Sequence, residues 1–153
     1  MKSYTLDQCQ RLPVSLGEAW EFFSKPGNLQ AITPDWLDFR IESSLPDRMY
    51  PGLIITYKIR IFPGIRIAWV TEITHLDEGE FFVDEQRFGP YKFWQHQHHF
   101  REVNGVTEIR DIVHYGLPFG PIGRFIHWLI VRRQLREIFQ FRERALQEKF
   151  NAA

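Results

Sequence analysis

EFFVDEQRFGPYKFWQHQHHFREVNGVTEIRDIVHY, residues 80–115, decides the fold of this 153-residue chain. Apolar and aromatic side chains alternate with polar ones through 80–88, 92–100 and 107–115. That two-residue period belongs to strands with one buried face. The breaks between them, GPY and VNG, carry turn chemistry, and Asn104-Gly105 is a hairpin pair. Connections this short make successive strands antiparallel neighbours.

The same pattern extends towards the N-terminus. LDFRIESS (37–44), LIITYKIRIF (53–62) and IRIAWVTEITHL (65–76) are rich in β-branched and aromatic residues, and PDRMYPG, PG and DEG separate them. YTLDQCQRLPV (4–14) reads as a first strand ending at Pro13. SLGEAWEFFSKPGNL (15–29) reads as a helix: Ser15 can cap it, Glu18 stands three residues on, and Lys25-Pro26-Gly27 stops it. A second short helix is expected over 27–33, before Pro34. Residues 121–150 read as one helix starting at Pro121, with Phe125, Leu129, Ile130, Leu135, Ile138, Phe139, Arg142 and Leu146 near helical spacing. At about 1.5 Å per residue it is roughly 45 Å long, the span of a strongly bent sheet. The expected fold is α+β in one domain, 1–153. A curved seven-stranded antiparallel sheet surrounds the long C-terminal helix, with two short helices between strands 1 and 2. A bent sheet held off by a helix does not collapse completely and leaves a cavity.

Composition narrows the function classes. Lys plus Arg and Asp plus Glu both number 19, so the formal net charge is zero. That balance gives no electrostatic case for a nucleic-acid partner. The single cysteine, Cys9, excludes an internal disulfide framework and fits a reducing, cytoplasmic setting; it reads as a packed small hydrophobe. No basic start followed by an apolar run marks a signal peptide. LPFGPIGRFIHWLIV (117–131) is too short and too interrupted to span a bilayer. Were its Phe119, Ile122 and Phe125 exposed, a peripheral membrane or partner contact stays open. The oligomeric state is not legible. Aromatics make up 16% of the chain, with 14 Phe and 5 Trp, enough to line a cavity with rings.

The element order and the phrases PVSLGEAWEFFSKPGNL, PDRMYPG, FFVDEQRFGPYKFWQHQHHF, DIVHYGLPFGPIG and VRRQLREIFQFRERAL resemble the small bacterial branch of the START-like, polyketide-cyclase and lipid-transport superfamily (SRPBCC). The resemblance covers essentially the whole chain. It implies a helix-grip fold and a hydrophobic cavity between sheet and long helix, for a small hydrophobic ligand. It carries over no catalytic set and implies no cofactor, since the superfamily spans carriers, receptors and cyclases.

Strand alternation sorts the candidate site residues. Trp94, His96, His98 and Phe100 share one face, bracketed by two large rings and so assigned inward. A three-residue turn at 89–91 places Phe82, Asp84 and Gln86 on that face; a turn of two or four residues turns Asp84 and Gln86 away. On the next strand Ile109, Asp111, Val113 and Tyr115 form the more apolar, inward face. The polar set is then Asp84, Gln86, His96, His98, Asp111 and Tyr115. Phe82, Trp94, Phe100, Trp69, Phe23, Phe125 and Leu129 are the expected walls.

Several readings follow. These groups can simply satisfy one another across strands, as buried polar groups must. They can serve a pocket for a small apolar or aromatic ligand. They can form an acid–base centre of the cyclase or dehydratase type, with His96 or His98 as base and Asp84 or Asp111 orienting it. His96-x-His98 puts two imidazoles about 7 Å apart on one strand face, with Asp84 or Asp111 as a third group. A lone H-x-H is a weak signal, and no metal ligand is assigned from it. His99 points to the other face. No phosphate loop, nucleophile elbow or dinucleotide fingerprint occurs.

Overall fold

The N-terminal strand closes the sheet at one end, because it pairs with the last strand rather than with the second. The sheet order is β1-β7-β6-β5-β4-β3-β2, all antiparallel. The strands are β1 (Ser3–Leu12), β2 (Arg40–Ile41), β3 (Ile54–Phe62), β4 (Ile65–Asp77), β5 (Phe81–Phe88), β6 (Phe93–Val103) and β7 (Val106–Gly116). This computed structural model describes residues 1–62 and 64–151, with Phe62 described by its backbone alone. Pro63 of the PG turn lies outside the described residues.

Residues without a partner bend the sheet. Pairing skips Ile61 on β3, Thr74 on β4 and Arg87 on β5. Each bulge increases local twist and curves the strand. The concave face so formed carries the alternate buried residues of β6 and β7, among them His96, His98, Phe100, Ile109, Asp111, Val113 and Tyr115. The turn after β5 has the length that keeps Asp84 opposite His96 and Phe82 opposite His98.

Helix α1 (Leu16–Phe23) begins where the residue chemistry places it. Ser15 is extended, and its Oγ accepts the Glu18 N–H at 3.2 Å. Ala19, Trp20, Phe22 and Phe23 are buried against the sheet. Two 3-10 turns, Pro26–Ile32 and Asp35–Leu37, follow.

One strand is far shorter than the 37–44 expected. Asp38 takes a left-handed φ of 45° just before it, and only Arg40 and Ile41 pair with β3. Beyond them the Ser43 hydroxyl, not a backbone carbonyl, receives the Thr56 N–H, so a side chain ends the ladder. Cys9 is also misread by sequence: it is exposed on the edge strand, because the apolar face of β1 is carried by residues of the other parity.

The C-terminal helix runs from Gly120 to Asn151 as α2 (Gly120–Ile126), a π-helical turn (His127–Val131) and α3 (Arg132–Asn151). It starts by folding hard against the preceding loop. A Cβ on Gly123 would stand 2.1 Å from the Pro118 carbonyl oxygen, so only glycine permits that approach. Side-chain amides then tie α3 to both margins of the sheet. Gln10 and Gln147 on one side donate to Glu143 O and Arg11 O respectively, and Gln134 donates to Ile61 O of β3 on the other. The buried positions Gly123, His127, Val131, Leu135 and Phe139 recur every four residues through the π-helical turn, the spacing a wider turn imposes.

Candidate functional site

The grip does not close. A cavity of about 180 Å³ lies between the sheet and α3. Strand alternation supplies most of its walls: Ile55, Tyr57 and Ile59 from β3, Trp69, Thr71 and Ile73 from β4, and Phe82 and Trp94 beyond. Leu135, Ile138 and Phe139 close it from α3, and Phe23, Leu29, Ile32, Leu37 and Phe39 from the segment after β1. Rings meet along the wall, with Trp69 edge-on to Trp94 at 5.4 Å and stacked on Tyr57 at 5.9 Å.

One end of this apolar hollow is ionic. Asp84, His96, His98 and Arg142 line it, and Asp111 stands behind them. His98 Nε2 lies 2.6 Å from Asp84 Oδ2, and His96 Nε2 lies 2.8 Å from Asp111 Oδ1. His98 Nδ1 is 3.4 Å from the same Asp111 oxygen. Arg142 Nη2 reaches His98 Nδ1 at 3.3 Å and Asp111 Oδ1 at 3.5 Å. The two imidazoles stack at 3.7 Å, and Phe82 stacks on His98 at 4.0 Å.

Burial sets the electrostatics. It depresses His96 to about 4, helped by the neighbouring His98 and opposed by the two carboxylates. His96 is therefore neutral at pH 7. Burial alone would raise both carboxyls, but their partners outweigh it. His96 and His98 hold Asp84 below its ordinary value. Arg142 and the two imidazoles hold Asp111 well below it. Burial pushes the Tyr57 and Tyr91 phenols well above their ordinary range, so neither is a proton donor of useful strength.

The four polar residues proposed from sequence as acid–base groups, Asp84, His96, His98 and Asp111, do come together. Phe82, Trp94, Trp69 and Phe23 line the cavity as expected. Five proposed residues do not. Gln86 is consumed by the turn it precedes: its Oε1 accepts the Tyr91 N–H at 3.0 Å and its Nε2 donates to Tyr91 O at 2.7 Å. Phe100 faces inward but is covered by α1, edge-on to Trp20 and to Phe23, each at 5.2 Å. Tyr115 belongs to the far end of the sheet, where its hydroxyl lies 2.8 Å from His127 Nε2; burial pushes that phenol up to about 12. Phe125 and Leu129 are 59% and 53% exposed, because the buried stripe of the helix passes through Gly123, His127 and Val131 instead.

Sequence reasoning missed the role of Arg142. The signal was present: an arginine on the stripe Leu135, Ile138, Phe139, Leu146 is a charge aimed at the core, and such a charge needs a buried partner. Tyr57 was also legible, as the middle of Ile55, Tyr57 and Ile59.

No protein-family model matches the chain, and no curated protein sequence does. Solved structures do. Zhui aromatase/cyclase from Streptomyces sp. R1128 matches with a TM-score of 0.73 at 10% identity, over 98% of this chain and 94% of that one. Protein Ms6760 from Mycobacterium smegmatis gives 0.68 at 16% identity, over 97% and 91%. Ara h 8.0201 gives 0.63 at 14%, over 95% and 98%. At these identities the likeness establishes the fold alone: a helix-grip domain, as the START-like resemblance implied.

Proposed function

We propose that this protein binds a small, ring-containing apolar molecule that carries an acceptor oxygen, as a carrier or sensor. One observation carries the reading. Two residues lining the cavity, Trp69 and Arg142, have buried N–H donors (Nε1 and Nε) with no hydrogen-bond partner among the described residues. Buried donors without partners are rare and costly. A carbonyl, phenol or carboxylate on a ligand would satisfy them, while its ring lies among Tyr57, Trp69 and Trp94. The volume suits one or two rings, since a cavity of about 150 Å³ takes up benzene. The single cysteine keeps a cytoplasmic setting as part of the proposal.

Native mass spectrometry of protein purified from cells, with thermal shifts against aromatic acids, quinones and fatty acids, tests it. Ligand at a hundred times its dissociation constant adds about 2.7 kcal/mol of stability. Ile59→Phe, which fills the hollow, should abolish the shift and leave the circular dichroism spectrum unchanged. Empty protein and no shift across the panel would sink the proposal.

A second reading, supported by the Asp84–His98 pair at the cavity wall and by the aromatase/cyclase among the structural neighbours, is acid–base catalysis of cyclisation or dehydration. Neutral His96 would take the proton beside a ketone, and Asp111 would hold its ring. Turnover of an activated ketone is then expected to disappear in His96→Ala/His98→Ala. Unaltered turnover in that double variant refutes it.

The exposed apolar face of the helix start supports a lipid-surface contact as part of the same reading. Phe119 is 76% and Trp128 69% exposed, with Ile122, Phe125 and Leu129 alongside. Arg124, Arg132 and Arg136 are exposed near them. Aromatic and aliphatic side chains flanked by arginines suit an anionic membrane interface. No helix among the described residues is long and apolar enough to cross a membrane. Sedimentation with phosphatidylglycerol vesicles should fall severalfold in Ile122→Ser/Trp128→Ser. Equal sedimentation of both proteins rejects the contact.

A further inference from the structure

The ionic end of the cavity has more order than hydrogen bonding alone requires. Asp111 Oδ1 faces one nitrogen of each imidazole, His96 Nε2 at 2.8 Å and His98 Nδ1 at 3.4 Å. A carboxylate accepts, so Asp111 places the His96 proton on Nε2; a guanidinium only donates, so Arg142 leaves His98 Nδ1 as an acceptor and the His98 proton on Nε2, donated to Asp84 Oδ2 at 2.6 Å. His96 Nδ1, with a free lone pair, and His98 Nε2, with its proton, face the same side. Asp84 stands there, its Oδ2 at 3.6 Å and 2.6 Å from them.

We propose that Asp84, His96 and His98 form a binding site for a divalent transition metal, with Asp111 as the carboxylate that stands behind both rings. The three ligand atoms lie within 4.8 Å of one another. Small side-chain rotations bring them to a common ion at about 2.0–2.2 Å. Two imidazoles and one carboxylate are a donor set for Zn²⁺, Fe²⁺ or Co²⁺. A second carboxylate hydrogen-bonded to the far ring nitrogens is the usual support for metal-bound histidine.

Charge favours the ion. A metal takes its imidazole ligands in the neutral form, so two carboxylates and one guanidinium then set a cluster charge of −1 against the cation. The polar contacts of Arg142 are on the far side, to His98 Nδ1 and Asp111 Oδ1, and not to Asp84. In the metal-free protein the His98 Nε2 proton, donated to Asp84, occupies the place of the ion; binding moves it to Nδ1, which faces Asp111 Oδ1 at 3.4 Å. Three protein ligands leave coordination positions open, and the three residues line the cavity, so a small oxygen-bearing molecule there can complete the shell.

The site needs no organic ligand, so it is tested with metal alone. Chelator-treated protein is titrated with Co²⁺ and followed by visible absorption, then with Zn²⁺ by calorimetry. One equivalent should bind, with d–d bands of a low-coordinate site. Asp84→Asn and His98→Gln should each lower the affinity at least tenfold. If a variant fails to fold, ¹⁵N side-chain spectra of the wild type decide: Zn²⁺ should shift both His96 Nδ1 and His98 Nε2. No saturable binding, or binding that leaves these two nitrogens unmoved, overturns the proposal. Failure here would leave the ligand-binding proposal standing, and an empty cavity would leave this one standing.

Discussion

Asp111→Ala is expected to cost metal-free protein about 3–5 kcal/mol of folding free energy, the range for breaking a buried ionic contact from one side. Asp111 is buried, and its Oδ1 meets His96, His98 and Arg142. Removing it strands a guanidinium whose Nε already lacks a partner among the described residues. The cost arises from that uncompensated charge more than from the lost hydrogen bond. Removing both charges should therefore restore stability: Asp111→Leu/Arg142→Met is expected to be at least about 2 kcal/mol more stable than Asp111→Ala. Urea denaturation of the three proteins checks this. A cost below about 1 kcal/mol for Asp111→Ala would mean that water reaches the cluster and solvates it.

Leu146→Ala should be the most damaging of the leucine truncations on α3, at about 3–5 kcal/mol. Leu146 is 1% exposed and packs with Trp20, Phe82, Phe100 and Ile109 in the filled end of the grip. Nothing there can collapse into the gap. Leu135 has the same side chain and is equally buried, but it borders the cavity. A side chain facing a void lacks contacts on that side and so has fewer to lose. Leu135→Ala is expected to cost at least about 1 kcal/mol less, and to enlarge the hollow enough to admit bulkier ligands. Denaturant midpoints in the reverse order would show that the hollow is filled in solution.

Local chemistry made much of the fold legible. The capping serine, the Pro and Gly breaks and the two-residue alternation located α1 and six of the seven strands to within a few residues. They failed at 37–44, where β-branched and aromatic composition is present but Asp38 leaves the extended region and Ser43 substitutes for a strand partner. Parity along β6 and β7 turned His96, His98 and Asp111 inward without any structure. Asp84 was conditional, because one residue more or less in the turn at 89–91 would have reversed it. The same alternation also put Phe100 and Tyr115 on the correct face yet outside the cavity, since parity gives the face of a strand and not the position along it.

What the sequence by itself determined is therefore one-dimensional: which segments pair, which side chains face inward, and that a long helix has an apolar stripe to bury. What only the tertiary structure decided is how far apart inward groups end up. Arg142 is 44 residues from His98, and β1 lies beside a strand more than a hundred residues away; no local period encodes either meeting. The phase of the C-terminal helix was likewise settled by packing, since a π-helical turn moved Phe125 and Leu129 out to solvent. The physical reason is common to all three. Secondary structure follows from interactions within a few residues, whereas a cavity is the space left where distant surfaces fail to meet.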